Sequence, residues 1–223
     1  MPRSPFLDSL PDAARARLTE LASIQTYQRD QAVIGHEEES SEVFFVFDGL
    51  ARATIFSENG KIVAFRDIAE GEIFGELSAI DGAPRSASVI AVTDLRVGRL
   101  GQATFRQLVE EEPGFAWTVL QYLTGQVRSM TARITEFSTM LGSDRLLEEL
   151  IRMAEATGAE SGSVDVHPAP THFDLAARIS THREAVSREM AKLGRNELIR
   201  KKPGGILAID LDGLRTLRDS RAD

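Results

Sequence analysis

The chain has 223 residues, 34 acidic against 26 basic side chains, a formal net charge of −8 and no cysteine. This length holds one large domain or two small ones with proper cores, and the missing cysteines exclude disulfides, iron–sulfur ligation by this chain and thiolate haem ligation. No apolar run approaches the ~18 residues that span a membrane. The opening MPRSPFLDSL lacks the apolar core of a secretory signal, and the histidines at 36, 167, 172 and 182 show no metal-ligand spacing. The expectation is a cytoplasmic protein with no membrane segment and no metal.

Residues 9 to 22, SLPDAARARLTELA, place Pro11 as a first-turn residue and Ala14, Leu18 and Leu21 at helical spacing, which predicts a short N-terminal helix. The period then changes to that of strands. Asp48-Gly49, Asn59-Gly60, Glu70-Gly71 and Asp81-Gly82 are turn dipeptides, each 11 residues after the last, with β-rich runs between them at Val43 to Phe47, Ala51 to Phe56 and Ile62 to Ile68. Short strands at regular spacing predict an all-β sandwich or barrel, with Phe44, Phe45 and Phe47 in its core.

Near the end of this array lies FGELSAIDGAPRSASV, Phe74 to Val89, read as a loop that interrupts the strands and cradles a small anion. Gly75 allows close backbone approach, and the Glu76 carboxylate accepts from a hydroxyl. Arg85 offers a planar fork to a phosphate, each charge-assisted bond contributing roughly 1.5 to 3 kcal/mol when shielded from water. Taken only as a pair, Glu76 and Arg85 also read as an ion pair across a hairpin. The whole string resembles the phosphate-binding cassette of cyclic-nucleotide-binding domains, which Phe74, Gly75, Glu76, Leu77, Arg85, Ser86 and Ala87 match position by position.

Asp94 to Leu100 predicts one more strand, and Ala103 to Glu110 a short helix that ends before Pro113. A long helix follows, in which Leu120, Leu123, Val127, Met130, Ile134, Phe137 and Leu141 alternate spacings of three and four. That stripe suits a buried core helix or, given its length and polar flanks, a parallel two-stranded coiled coil and hence a homodimer. Thr131 falls beside the seam. Leu141-Gly142-Ser143 breaks the helix, with Ser143 or Asp144 expected to cap the next one, over residues 144 to 156.

Ser161 to Pro170 reads as a loop or short strand pair. Thr171-His172-Phe173-Asp174 and Thr181-His182-Arg183-Glu184 are two capping-box starts separated by a short turn, a helix-turn-helix candidate. On the second helix Val186, Met190 and Leu193 face inward, leaving Arg183, Glu184, Ser187 and Arg188 outward, where arginine reads guanine and glutamate accepts from cytosine. For Glu184 a plain capping role is the alternative, and for the arginines a solvated surface. Leu198 to Lys201 and Ile206 to Asp210 predict a hairpin whose Arg200, Lys201 and Lys202 reach phosphates. From Arg178 to Lys202 there are 8 basic residues against 3 acidic ones, a basic patch on an acidic body.

In this order of parts the chain resembles the CRP/FNR family of bacterial transcription regulators over essentially its whole length. The resemblance implies an α+β fold in three parts. Residues 1–112 form a cyclic-nucleotide-binding β-roll of the double-stranded β-helix or jelly-roll type with an N-terminal helix, 113–141 a coiled-coil dimerisation helix, and 142–223 a winged helix-turn-helix. It assigns Gly75, Glu76, Leu77, Arg85, Ser86 and Thr131 to a cyclic nucleotide effector, cAMP in preference to cGMP. Thr181, His182, Arg183, Glu184, Ser187, Arg188, Lys201 and Lys202 fall to a double-stranded DNA operator, with RNA polymerase as a further partner and no enzymatic activity. The alternative is the same architecture acting constitutively or answering a different effector; a ligand-binding module of a kinase or channel is a more distant one. Met130 departs from the threonine common in cAMP-responsive members, His182 and Ala185 from the usual serine and threonine, and Gly142 from an aspartate cap.

Overall fold

The computed structural model describes residues 5–56 and 62–222, so the predicted Asn59-Gly60 turn lies outside the described residues. After a 3-10 turn at Leu7–Ser9 come α1 (Asp12–Leu21), β1 (Ser23–Tyr27), β2 (Ala32–Ile34), β3 (Val43–Asp48), β4 (Ala51–Phe56), β5 (Ile62–Ile68) and β6 (Ile73–Phe74). Next in the chain are α2 (Glu76–Asp81), β7 (Ser88–Ala91), β8 (Leu95–Leu100), α3 (Gln102–Glu111) and α4 (Pro113–Thr139). The C-terminal part is α5 (Gly142–Glu155), β9 (Ser163–Val166), α6 (His172–Arg178), α7 (Arg183–Arg195), β10 (Ile199–Lys202), β11 (Ile206–Asp210) and α8 (Leu211–Ala222). The described residues up to Ser129 form one compact unit and those from Met130 another.

The first unit is a β-roll of two four-stranded antiparallel sheets, ordered β1-β8-β3-β6 and β2-β7-β4-β5. Strand β3 shows why a run of four apolar residues is needed. Phe44 and Val46 enter a core with Ile34, Ala51, Ile68, Phe74, Val89 and Val97, drawn from both sheets. Val43 and Phe45, one pleat away, point to the opposite face and pack against Leu18, Leu108, Phe115 and Val119 of the helices. Phe47 is half-buried, with the Arg96 guanidinium 5.7 Å from its ring centroid.

Two local readings change in this unit. Pro11 is the N-cap of α1 rather than its first helical residue, because its ψ of 144° is extended. The stretch after Gly75 is the helix α2 rather than a plain loop, and Asp81-Gly82 ends that helix instead of turning between strands.

The second unit is a winged helix. Leu146, Leu150, Ile151, Leu175, Ile179, Val186, Met190 and Leu193 close one core with Leu207 and Ile209 of a three-stranded antiparallel sheet ordered β10-β11-β9. Residues 163–166, expected as a loop or a strand pair, supply its third strand. Thr171 makes the predicted capping box with Asp174. The second box does not form: α7 is capped at His182 with no side-chain bond. Neither Ser143 nor Asp144 caps α5, whose N-cap is Leu141 with extended backbone, so that the helix begins at Gly142.

Candidate functional site

The cassette is organised by Gly75. Its φ of 82° lies in the left-handed region, and a Cβ there would meet the Glu42 carbonyl at 2.7 Å and Arg85 Nη1 at 2.8 Å. Glycine is therefore what lets this backbone close on both groups. Arg85 is 3% exposed. It donates from Nε to Ser40 Oγ at 2.8 Å, from Nη1 to the Gly75 carbonyl at 2.9 Å and from Nη2 to the Glu42 carbonyl at 2.9 Å. Its carboxylate partner is Glu42, at 3.5 Å, and Glu42 also pairs with Arg99, whose hydrogen bond holds the Glu42 carboxyl below its usual range.

Glu76 and Arg85 thus do not form the cross-hairpin pair that the sequence also allowed. Glu76 is 8% exposed, and no ion pair within 4 Å links it to the described residues. Burial pushes its carboxyl up, offset by its backbone hydrogen bond and by the charges of Arg66 and Arg85. Leu77 is exposed on α2, Ser86 is exposed after Arg85, and Ala87 is half-buried. Ser40, Glu42 and Arg66 were missed by sequence reasoning. Arg85 lies 45 residues from Ser40 and 43 from Glu42 in the chain, and no motif connects them.

On α4 the predicted seam faces outward: Leu120, Val127, Met130, Ile134, Phe137 and Leu141 are all exposed, Ile134 by 66%. Leu123 is the exception, half-buried against the helical core of the first unit. Thr131 is exposed, and its carbonyl accepts from Thr135 Oγ1 at 3.1 Å.

In the winged helix, His182, Arg183, Glu184 and Arg188 are exposed along α7, and Thr181 is half-buried before it. Arg188 also lines a cavity of about 270 Å³ with Gly142, Ser143, Thr181 and Glu189. Ser187 Oγ lies 2.8 Å from His172 Nδ1 at the start of α6. Burial lowers the His172 pKa, and the charges of Lys201 on the wing and Arg183 on α7 lower it further. The His172–Ser187 contact is one that the place of His172 in a capping box gave no reason to expect. Lys201 is exposed, whereas Lys202 is tied to Asp165 by contacts of 2.6 and 2.8 Å. Among the described residues no group of His, Asp and Glu is arranged to hold a metal, and no helix is long and apolar enough to cross a membrane.

A β-roll with a glycine–glutamate–arginine cassette, a long helix and a winged helix with a cationic outward face define a DNA-binding regulator with an effector domain. Residues 24–112 match the cyclic nucleotide-binding domain, and residues 144–217 match the Crp-like helix-turn-helix domain. The chain belongs to the CRP/FNR family of transcription regulators. It is 29% identical over 176 residues to the transcriptional regulator SdrP of Thermus thermophilus, covering 79% of this chain and 83% of that protein. To the CRP-like cAMP-activated global transcriptional regulator of Mycobacterium tuberculosis it is 21% identical over 213 residues, 95% of each. A solved CRP/FNR-family regulator from Thermus thermophilus superposes with a TM-score of 0.71 at 25% identity, covering 89% of this chain and 100% of that one.

Proposed function

We propose that this chain is a cytoplasmic, homodimeric regulator whose cassette binds a cyclic nucleotide, cAMP in preference to cGMP, and whose occupancy sets its affinity for a double-stranded operator read together with RNA polymerase. In this reading residues 1–112 bind the effector, 113–141 dimerise and 142–223 bind DNA. The observation that carries it is Glu76: a buried carboxylate without an ion pair among the described residues is costly unless a partner arrives, and a ribose hydroxyl is such a partner. The phosphate falls to Gly75, Arg85 and Ser86, with Leu77 of the same cassette beside the ligand, and the base to Thr131. The exposed seam of α4 suits a second copy of the same helix. Arg183, Glu184, Ser187 and Arg188 read bases, while Thr181, His182, Lys201 and Lys202 contact the backbone. The cAMP preference is supported by the name of the Mycobacterium tuberculosis relative.

A second reading, regulation by another effector or none, is favoured by Arg85. Three of its N–H groups are already bound to Ser40, Gly75 and Glu42, which leaves it a structural role without any phosphate. Calorimetric titration of the full chain with cAMP and cGMP, paired with operator binding with and without each nucleotide, separates the two. Saturable cAMP binding that tightens operator binding is expected; no nucleotide binding together with tight operator binding selects the second reading.

A further inference from the structure

β6 is the edge strand of its sheet, and the Ile73 carbonyl takes hydrogen bonds from side chains. It accepts from Arg66 Nη2 of β5 at 3.1 Å and from the Tyr122 phenol of α4 at 2.9 Å. The Arg66 guanidinium stands 5.5 Å from the centroid of the Tyr122 ring and 3.9 Å from the Glu72 carboxylate. Tyr122 also packs edge-on to Phe6, with centroids 5.7 Å apart. Burial raises the phenol pKa further above neutrality.

Ile73 stands immediately before the cassette. Phe74 stacks on Phe44 at 5.0 Å, and the next two residues are Gly75, whose carbonyl is held by Arg85, and Glu76. Strand β6 is two residues long. Phe74 alone therefore separates Ile73 from Gly75. Helix α4 is a continuous 27-residue rod that carries the exposed apolar seam. Of the two side chains that donate to the Ile73 carbonyl, Tyr122 belongs to that rod and Arg66 does not.

We infer that Tyr122 couples the cassette to α4: closure of Gly75–Glu76 on a ligand shifts the Ile73 carbonyl, and the phenol passes that shift to the helix. Arg66 positions the pair by sharing the carbonyl and lying over the ring. The inference rests on the effector reading of the cassette. It makes Tyr122 a positioning residue that acts through Ile73, distinct from the residues that touch the ligand.

Tyr122→Phe removes the phenol oxygen and keeps the ring in its packing. The expected result is cAMP affinity within about twofold of wild type by calorimetry, while the ratio of operator affinity with and without saturating cAMP falls by about three- to tenfold, the effect of one neutral hydrogen bond. An unchanged ratio overturns the inference, as does a loss confined to cAMP affinity. Hydrogen exchange on the ligand-free protein tests the same link without an effector. Tyr122→Phe is expected to speed exchange both at residues 73–77 and at 119–126, and a change confined to 119–126 overturns the coupling. A wild-type protein that binds neither cAMP nor cGMP overturns the effector reading instead, and the exchange result then decides the link alone.

Discussion

Arg133 Nη2 on α4 lies 3.1 Å from Glu149 Oε2 on α5. Glu149, 2% exposed, also accepts from Arg178 of α6 at 2.9 Å and from Arg152 at 3.0 Å, while Arg152 grips Glu136 of α4 with contacts of 2.6 and 3.1 Å. Arg145 adds bonds to the Met140 and Ile179 carbonyls. The last turns of α4 are thereby tied by charge around the buried Glu149 to α5 and α6, all within the unit that begins at Met130.

Glu149→Gln is expected to destabilise the chain by about 3 to 5 kcal/mol, because it leaves clustered guanidinium groups without their buried counter-charge. Denaturant unfolding of the full chain reads this directly, and a loss below about 1 kcal/mol would contradict it.

For the cassette, Glu76→Gln is expected to separate function from stability, and Arg85→Ala to lose both. Burial raises the folded pKa of Glu76 above its ordinary value of 4.5. The sign is then clear: the relative stabilisation is present below 4.5 and lost as pH rises through the folded pKa, so ionised Glu76 weakens the ligand-free fold at neutral pH. Glu76→Gln should leave the melting temperature at neutral pH equal or higher while weakening cAMP binding by about 1.5 to 3 kcal/mol, roughly ten- to a hundredfold. Wild-type cAMP affinity should also fall as Glu76 protonates on acidification, a dependence absent in the variant. Arg85→Ala removes three buried hydrogen bonds and should lower stability by about 2 to 4 kcal/mol besides abolishing cAMP binding. Normal melting of that variant would show that its guanidinium is not a tie.

Along the recognition helix, Arg183→Ala or Arg188→Ala should cost about 1 to 3 kcal/mol on a cognate operator and much less on random DNA. Lys201→Ala should weaken binding to both about equally and reduce the salt slope by about one. Equal losses on both DNAs for Arg188→Ala would remove its base-reading role. Competition binding across salt concentrations distinguishes these outcomes.

Ile134 is the most exposed residue of the seam within α4. Ile134→Glu places a charge in the two-helix interface and should convert a dimer into a monomer in sedimentation at micromolar concentration, with the fold of each unit intact by circular dichroism. An undiminished dimer would assign the interface elsewhere.

Much of this molecule was legible from local chemistry. Asp48-Gly49 and Glu70-Gly71 fell between strands, the three-and-four spacing laid an apolar stripe along α4, and Thr171-Asp174 started α6, since each depends on residues a few positions apart. Helix caps were less legible: Thr181-His182-Arg183-Glu184 has the composition of a capping box, yet its side chains make no such bond. What the chain alone determined was the order of parts and the family they belong to. Only the tertiary structure decided that Arg85 is held by Ser40, Gly75 and Glu42, that Glu76 stands buried with no ion pair among the described residues, and that His172 joins Ser187. The contacts of Arg85 and His172 join residues 10 to 45 positions apart, whose meeting is set by sheet register and helix packing.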